Sequence, residues 1–275
     1  MSPARDVSQF FHSWLEAVNT RDWDSALDHL ASEILHNEEA ITAQTFLRKL
    51  QNNLAAMPDS KTESNLLVVD KHAGKIAARL THFGTLVKPL RGVEVTGKQL
   101  EWSEYVFCEF GNGKICAWAS LWDLAHRPSG ISDRSSDRAT DLNGDIDLEN
   151  LYRRYIHSIN TLKMAEHFPD CCQPQITHNG INLSIDEYRT FIESSFEEIK
   201  GLTFTIVKLV ADKESQRLAA RLEFTGRPMK EFRGIQPTGN EVNFSEHVIY
   251  ELDEGKIARV WSVLDLDAYR ASMES

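Results

Sequence analysis

The sequence predicts an α+β domain written twice, with helices first and a curved antiparallel sheet after them in each copy. Three observations carry the prediction. Residues 91–123, RGVEVTGKQLEWSEYVFCEFGNGKICAWASLWD, return without a gap as residues 233–265, RGIQPTGNEVNFSEHVIYELDEGKIARVWSVLD. The spacing of about 142 residues is that of a small domain and far longer than a solenoid repeat. In both copies, segments with helical apolar spacing precede segments with period two.

Residues 7–31 read as helix, because Phe10, Phe11, Trp14, Leu15 and Val18 fall on one stripe. The run Asn19-Thr20-Arg21-Asp22 breaks it, and a short second helix follows. The second copy repeats this with Leu151, Tyr152, Tyr155, Ile156 and Ile159, a break at Asn160-Thr161, and a second piece over 164–168. Short edge segments, 33–37 and 175–179, each contain His-Asn, as His36-Asn37 and His178-Asn179. Helices over 42–57 and 184–199 come next. Ser184 and Glu187 have the spacing of a capping box. The remainder is strand. Ile76, Ala78, Leu80 and His82 alternate with Ala77, Arg79 and Thr81, as Leu218, Ala220, Leu222 and Phe224 alternate with Ala219, Arg221 and Glu223. Gly111-Asn112-Gly113 and Asp253-Glu254-Gly255 predict tight hairpins between the last two strands of each copy.

The domains are expected at 1–127 and 148–275. Between them, 128–147 is polar and rich in Ser, Asp and Gly, which predicts a flexible linker. A random coil of about 20 residues reaches roughly 25 Å, enough to let two small domains pack side by side.

Composition narrows the partners. The net charge is −11 and no compact basic cluster is present, which argues against nucleic acid. No apolar run is long enough to span a bilayer, and Asp6, His12 and Glu16 interrupt any secretory pattern near the N-terminus. A cytoplasmic location is expected. The cysteines, Cys108, Cys116, Cys171 and Cys172, read as reduced thiols. There is no phosphate-cradling glycine loop, no nucleophile elbow, and none of the 10 His forms a metal-ligand pattern.

The order helix, His-Asn segment, helix and sheet resembles the NTF2-like superfamily. The run Pro237-Thr238-Gly239, Phe244, Glu246, Gly255-Lys256-Ile257, Trp261 and Asp265 is similar to the SnoaL-like polyketide cyclase branch. The resemblance covers both halves apart from the linker. It implies two tandem cone-shaped barrels, each a bent sheet wrapped around a long helix with an apolar pocket at the open end. It also implies an intramolecular pseudo-dimer and metal-free, cofactor-free acid/base chemistry. The expected function is a cyclase, isomerase or dehydratase acting on a small, apolar, oxygenated polyketide- or terpenoid-derived intermediate in secondary metabolism. The alternative is a non-catalytic binding or carrier protein with the same pocket.

In this family likeness the general acid/base is an Asp on the last strand, which points to Asp265 and, by position, Asp123. On strand periodicity, Asp265 shares a face with Ile257, Arg259, Trp261 and Val263. A carboxyl in such apolar surroundings has its pKa raised toward neutrality, while a strand-ending Asp also serves to cap a turn. His36 and His178 can shuttle protons, or they can belong to a structural His-Asn turn. Asn179 is a candidate to hold a substrate oxygen. Glu104 and Glu246 match each other and are candidates for pocket acids or outer-face partners. His82 stands where the second copy has Phe224, so it is either a core histidine or a mark of diverged pockets. Trp261 and Tyr250 complete the substrate-binding candidates. Copy two keeps more of the family pattern, since copy one has Val95 and Ala119 at the places of Pro237 and Trp261. If one half alone is active, the sequence favours the second.

Overall fold

The computed structural model describes residues 6–124 and 146–274. The chain divides into two compact units, Met1–Arg134 and Ser135–Ser275. The expected linker, 128–147, lies outside the described residues apart from Ile146 and Asp147.

The first half runs α1 (Val7–Thr20), α2 (Trp23–Asp28), β1 (Leu30–His36), β2 (Glu39–Thr42), α3 (Ala43–Ala55), β3 (Lys61–Asp70), β4 (Lys75–Thr85), β5 (Gln99–Gly111) and β6 (Lys114–Asp123). The second runs α4 (Leu148–Asn160), α5 (Met164–Cys171), β7 (Cys172–His178), β8 (Ile181–Ser184), α6 (Ile185–Glu198), β9 (Ile199–Asp212), β10 (Arg217–Pro228), β11 (Val242–Asp253), β12 (Lys256–Leu264) and α7 (Leu266–Glu274). Each half folds a six-stranded sheet, in the orders β2-β1-β6-β5-β4-β3 and β8-β7-β12-β11-β10-β9. These are two tandem NTF2-like domains, α+β, with curved sheets that do not close into barrels. The sheets are mixed, not purely antiparallel as the alternation suggested, because β1 and β7 join β6 and β12 in parallel.

The helical stripes behave as predicted. Phe11, Trp14, Leu15 and Val18 of α1 are buried, and so are Leu151, Tyr152, Tyr155, Ile156 and Ile159 of α4. The Asn-Thr breaks have a shared cause. Asn19 donates to the Thr62 carbonyl at 2.8 Å and accepts from the Thr62 N–H at 2.9 Å. Asn160 does the same with Phe204, at 2.9 Å in both directions. The end of each first helix is thereby pinned to the sheet. Thr20 and Thr161 each donate their hydroxyl to a carbonyl four residues back, at 2.8 and 2.7 Å, and α1 ends on Arg21 in a left-handed conformation. Ser184 and Glu187 form the predicted capping box. Both hairpins turn on two residues with positive φ, Asn112-Gly113 and Glu254-Gly255.

One local irregularity decides which side chains face inward. In β12 the register slips between Ile257 and Arg259 opposite Leu252 and Glu251, leaving Ala258 as an extra residue. Beyond the slip the interior residues are Val260 and Leu264, which join the core cluster with Ile257. Trp261, two residues from Arg259, turns to the other face of the sheet. It is buried there but is not part of the interior cluster. Strict period-two counting from Ile257 placed it inside, and the bulge reverses that. The same slip occurs in β6 between Ile115 and Ala117. Helix α7 was not foreseen. Its Tyr269 and Met273 are buried, with the Tyr269 ring 5.2 Å from Phe232 and 5.0 Å from Phe244.

Candidate active site

The first half holds a cavity of about 390 Å³. Helices α1 and α3 supply Trp14, Phe46 and Lys49, and the interior face of the sheet supplies Thr62, Leu80, His82, Trp102, Glu104, Trp118, Ser120 and Trp122. His36, from the end of β1, and Arg91, from the loop before β5, complete the wall. The inward phase follows from the strand register, in which His82 opposes Trp102, and Glu104 opposes both Leu80 and Trp122.

At the centre, His82 Nε2 lies 2.9 Å from Glu104 Oε2, and its Nδ1 lies 2.9 Å from Thr62 Oγ1. All three residues are buried. The imidazole stacks on Trp102 at 5.2 Å and Trp122 at 5.7 Å, so its ring plane is fixed as well as its hydrogen bonds. Burial alone would raise the Glu104 pKa. The hydrogen bond and charge of His82, with donors on Ser120 and Trp122, outweigh it and hold the carboxyl below its ordinary value. The pair can therefore hold and move a proton while the carboxylate stays charged. His36 packs edge-on against Phe46 at 5.3 Å. Its pKa is lowered by burial first and by Lys49 next, against an opposing pull from Glu104.

The second half carries a different interior at the matching positions. Phe204, Phe224 and Phe244 replace Thr62, His82 and Trp102, with neighbouring rings 4.6 and 5.1 Å apart. Tyr250 replaces Cys108 and sits among Tyr152 and Tyr155, its hydroxyl 3.4 Å from that of Tyr152. Burial drives all of these phenols to higher pKa. Glu246 matches Glu104, but Phe224 takes the place of His82. Desolvation lifts its pKa to about 7, opposed by Ser262 and by the charge of Arg233.

The residues expected to be catalytic fall in several places. Asp265 is a helix cap. Its Oδ1 accepts from the Ala268 N–H at 2.9 Å and its carbonyl from Tyr269 at 3.0 Å, at the start of α7. The capping reading of that Asp is the one the geometry supports, and the face it was expected to share with Trp261 is not the interior. Asp123 ends β6 opposite Ser103 and is absent from the cavity wall. His178 lies 5.9 Å from Tyr188 and 5.1 Å from Phe191, with Nε2 3.4 Å from Ser262 Oγ. Asn179 ties its turn to the last strand of the sheet. It takes a positive φ of 48°, donates to the Ser262 carbonyl at 3.1 Å and accepts from the Ser262 N–H at 2.9 Å. Asn37 likewise has a positive φ and accepts from the Ser120 N–H at 2.8 Å. The His-Asn pair thus splits, Asn clamping the turn to the last strand and His facing inward in the first half. Thr62 and Arg91 were missed. The Arg-Gly shared by the twin stretches was the available signal for Arg91. Thr62 had none, since it lies outside the stretches that match. Among the described residues no group of three or more His, Cys, Asp or Glu stands together in a metal-site arrangement.

The sequence profile of the SnoaL-like polyketide cyclase family matches residues 8–127 and again 149–271. Among solved structures, a SnoaL-like polyketide cyclase from Agrobacterium tumefaciens is 35% identical over 45% of this chain and 95% of its own, with a TM-score of 0.43. TsrD from Streptomyces laurentii is 21% identical over 46% and 93%, with a TM-score of 0.42. IdmH from Streptomyces antibioticus is 15% identical over 47% and 100%, with a TM-score of 0.41. Among curated proteins none matches. With the family profile spanning nearly the whole length in two successive copies, the chain belongs to the SnoaL-like polyketide cyclase family.

Proposed function

We propose that the first half is a catalytic domain that moves protons on a small, largely apolar, oxygenated substrate, and that the second half is its diverged partner. The observation that carries this reading is the Thr62–His82–Glu104 chain buried in an aromatic cavity. His82 acts as general acid/base, Glu104 fixes the ring through its hydrogen bond to Nε2, and the Thr62 hydroxyl hands the proton on at the cavity side. Such a set suits proton removal beside a carbonyl and reprotonation elsewhere, the common step of cyclisation, isomerisation and dehydration. Family membership supports a polyketide- or terpenoid-derived intermediate in secondary metabolism. No helix among the described residues is long and apolar enough to cross a membrane. The four free thiols fit a reducing compartment, and the proposal places the chemistry in the cytoplasm.

The test is exchange of the α-protons of a bicyclic aromatic ketone, 1-tetralone, with deuterium followed by NMR. The full chain should accelerate exchange, and His82→Phe, which installs the residue of the second copy, should abolish the acceleration. Binding of the ketone with no acceleration by the wild-type chain would sink the enzymatic reading and leave a carrier.

A further inference from the structure

We infer that the first-half cavity takes a planar substrate with a negative charge, its anionic oxygens held at the mouth by Arg91 and Lys49 and its ring system lying against the neighbouring indoles. The inference rests on the active-site reading above and narrows its substrate class.

The balance of donors and acceptors in the wall is uneven. The acidic side chain there, Glu104, is already engaged by His82, Ser120 and Trp122. Arg91 and Lys49 also line the cavity, in a chain whose net charge is −11. Arg91 makes no hydrogen bond or ion pair among the described residues, and its guanidinium lies 4.2 Å from the centroid of Trp122. Among the described residues Lys49 has one partner, Glu39 at 3.1 Å, and both side chains of that pair are well exposed, a kind of contact that holds a lysine only loosely. The buried indole N–H groups of Trp14 and Trp102 have no acceptor among the described residues. A ligand that complements this wall brings acceptors and negative charge.

Arg91 is also held in place. It occupies a two-residue turn with φ of 49°, followed by Gly92 at 79°, while Leu90 and Val93 exchange backbone hydrogen bonds of 3.1 and 2.9 Å. Asn, Asp or Gly would suit that turn better, so the arginine is present at a local conformational cost. The second copy keeps the turn, with Arg233 at a φ of 52°, but has Phe191 where the first has Lys49, and Arg233 lies 5.3 Å from the Phe191 ring. The second cation is therefore particular to the half with the His82–Glu104 pair. The three rings of His82, Trp102 and Trp122 stack within 26° of one another, which selects a flat ligand.

Isothermal titration of the full chain with 1-hydroxy-2-naphthoate and with its methyl ester tests the inference. The acid should bind about tenfold more tightly than the ester. Arg91→Met and Lys49→Met should each weaken the acid by about fivefold and the ester by less than about twofold, as expected for the loss of one charge-assisted contact at a partly exposed site. Added salt should weaken the acid alone. Equal binding of acid and ester, no binding of the acid, or equal losses for both ligands in the variants would overturn it. His82→Phe separates the two readings: if it still binds the acid with charge preference while exchange is lost, both stand. Charge-selective binding by a wild-type chain that exchanges no protons leaves anion recognition standing and removes catalysis.

Discussion

His82 and Glu104 are diagonal neighbours on adjacent strands with 2.9 Å between Nε2 and Oε2, and the matching residues of the second half are Phe224 and Glu246. One substitution in a repeated domain thus separates a histidine–glutamate hydrogen bond from a half-buried carboxyl bonded to Ser262. In the proposed mechanism, His82→Phe lowers turnover by about 100- to 10,000-fold, the usual range for removing a general acid/base. Glu104→Gln keeps the shape but removes the carboxylate that His82 Nε2 bonds, and should cost at least about tenfold. Steady-state rates on the cognate substrate check both.

The two glutamates give opposite pH dependences of stability. Glu246 has its pKa raised to about 7 in the fold, so it favours the folded state below the unfolded value and loses that contribution as pH rises from there through about 7. The loss is on the order of 3 kcal/mol. Glu104 is shifted downward, so its contribution is present above the unfolded pKa and disappears as pH falls. Chemical denaturation between pH 4.5 and 8 should show Glu246→Gln flattening the decline at the upper end. An unchanged slope in that variant would refute the assignment.

Asp265 should matter to stability and not to catalysis. Asp265→Ala removes the cap of α7 and should cost about 1 kcal/mol, while Asp265→Asn, itself a good cap, should cost little. Both should turn over substrate at the wild-type rate well below the melting temperature. A loss of rate in the Asn variant without a loss of stability would restore this residue to the chemistry.

Asn37 and Asn179 each tie a turn to the last strand while holding a positive φ. Replacing either by Ala removes the clamp and places an unsuited residue in a left-handed conformation, at about 2 kcal/mol or more. The Asn37 variant should also perturb the neighbouring His36 and raise KM. The Asn179 variant should leave KM unchanged, because its turn belongs to the half without the His82–Glu104 pair.

Much of this architecture was legible in the chain. The repeat gave two domains, helical spacing gave α1, α3, α4 and α6, and the Asn-Gly and Glu-Gly turns gave the hairpins. His82 stood out because its counterpart is Phe224, a difference that needs no alignment beyond the chain itself. What failed has physical causes. Parallel pairing of β1 with β6 leaves no mark on a seven-residue strand. Helix α7 follows directly on the end of β12, so Asp265 read as the end of a strand when it also begins a helix. Family pattern favoured the second copy through Pro237 and Trp261, whereas the cavity with the histidine pair is in the first. Side-chain size differs at these places: Tyr250, Phe204 and Phe224 stand where the first half has Cys108, Thr62 and His82.

The extra residue in β12 acts as a shift in reading frame. Every side chain before Ala258 is counted in one phase and every side chain after it in the other, so the identity of the interior depends on a single inserted position. Regular pairing with Ala258 still in the strand would exchange Val260, Ser262 and Leu264 for Arg259, Trp261 and Val263 as the interior set, whereas deleting Ala258 would remove the bulge and leave the interior set as it is. Anyone transferring side chains between the two halves must count this extra position before assigning a face to any residue beyond it.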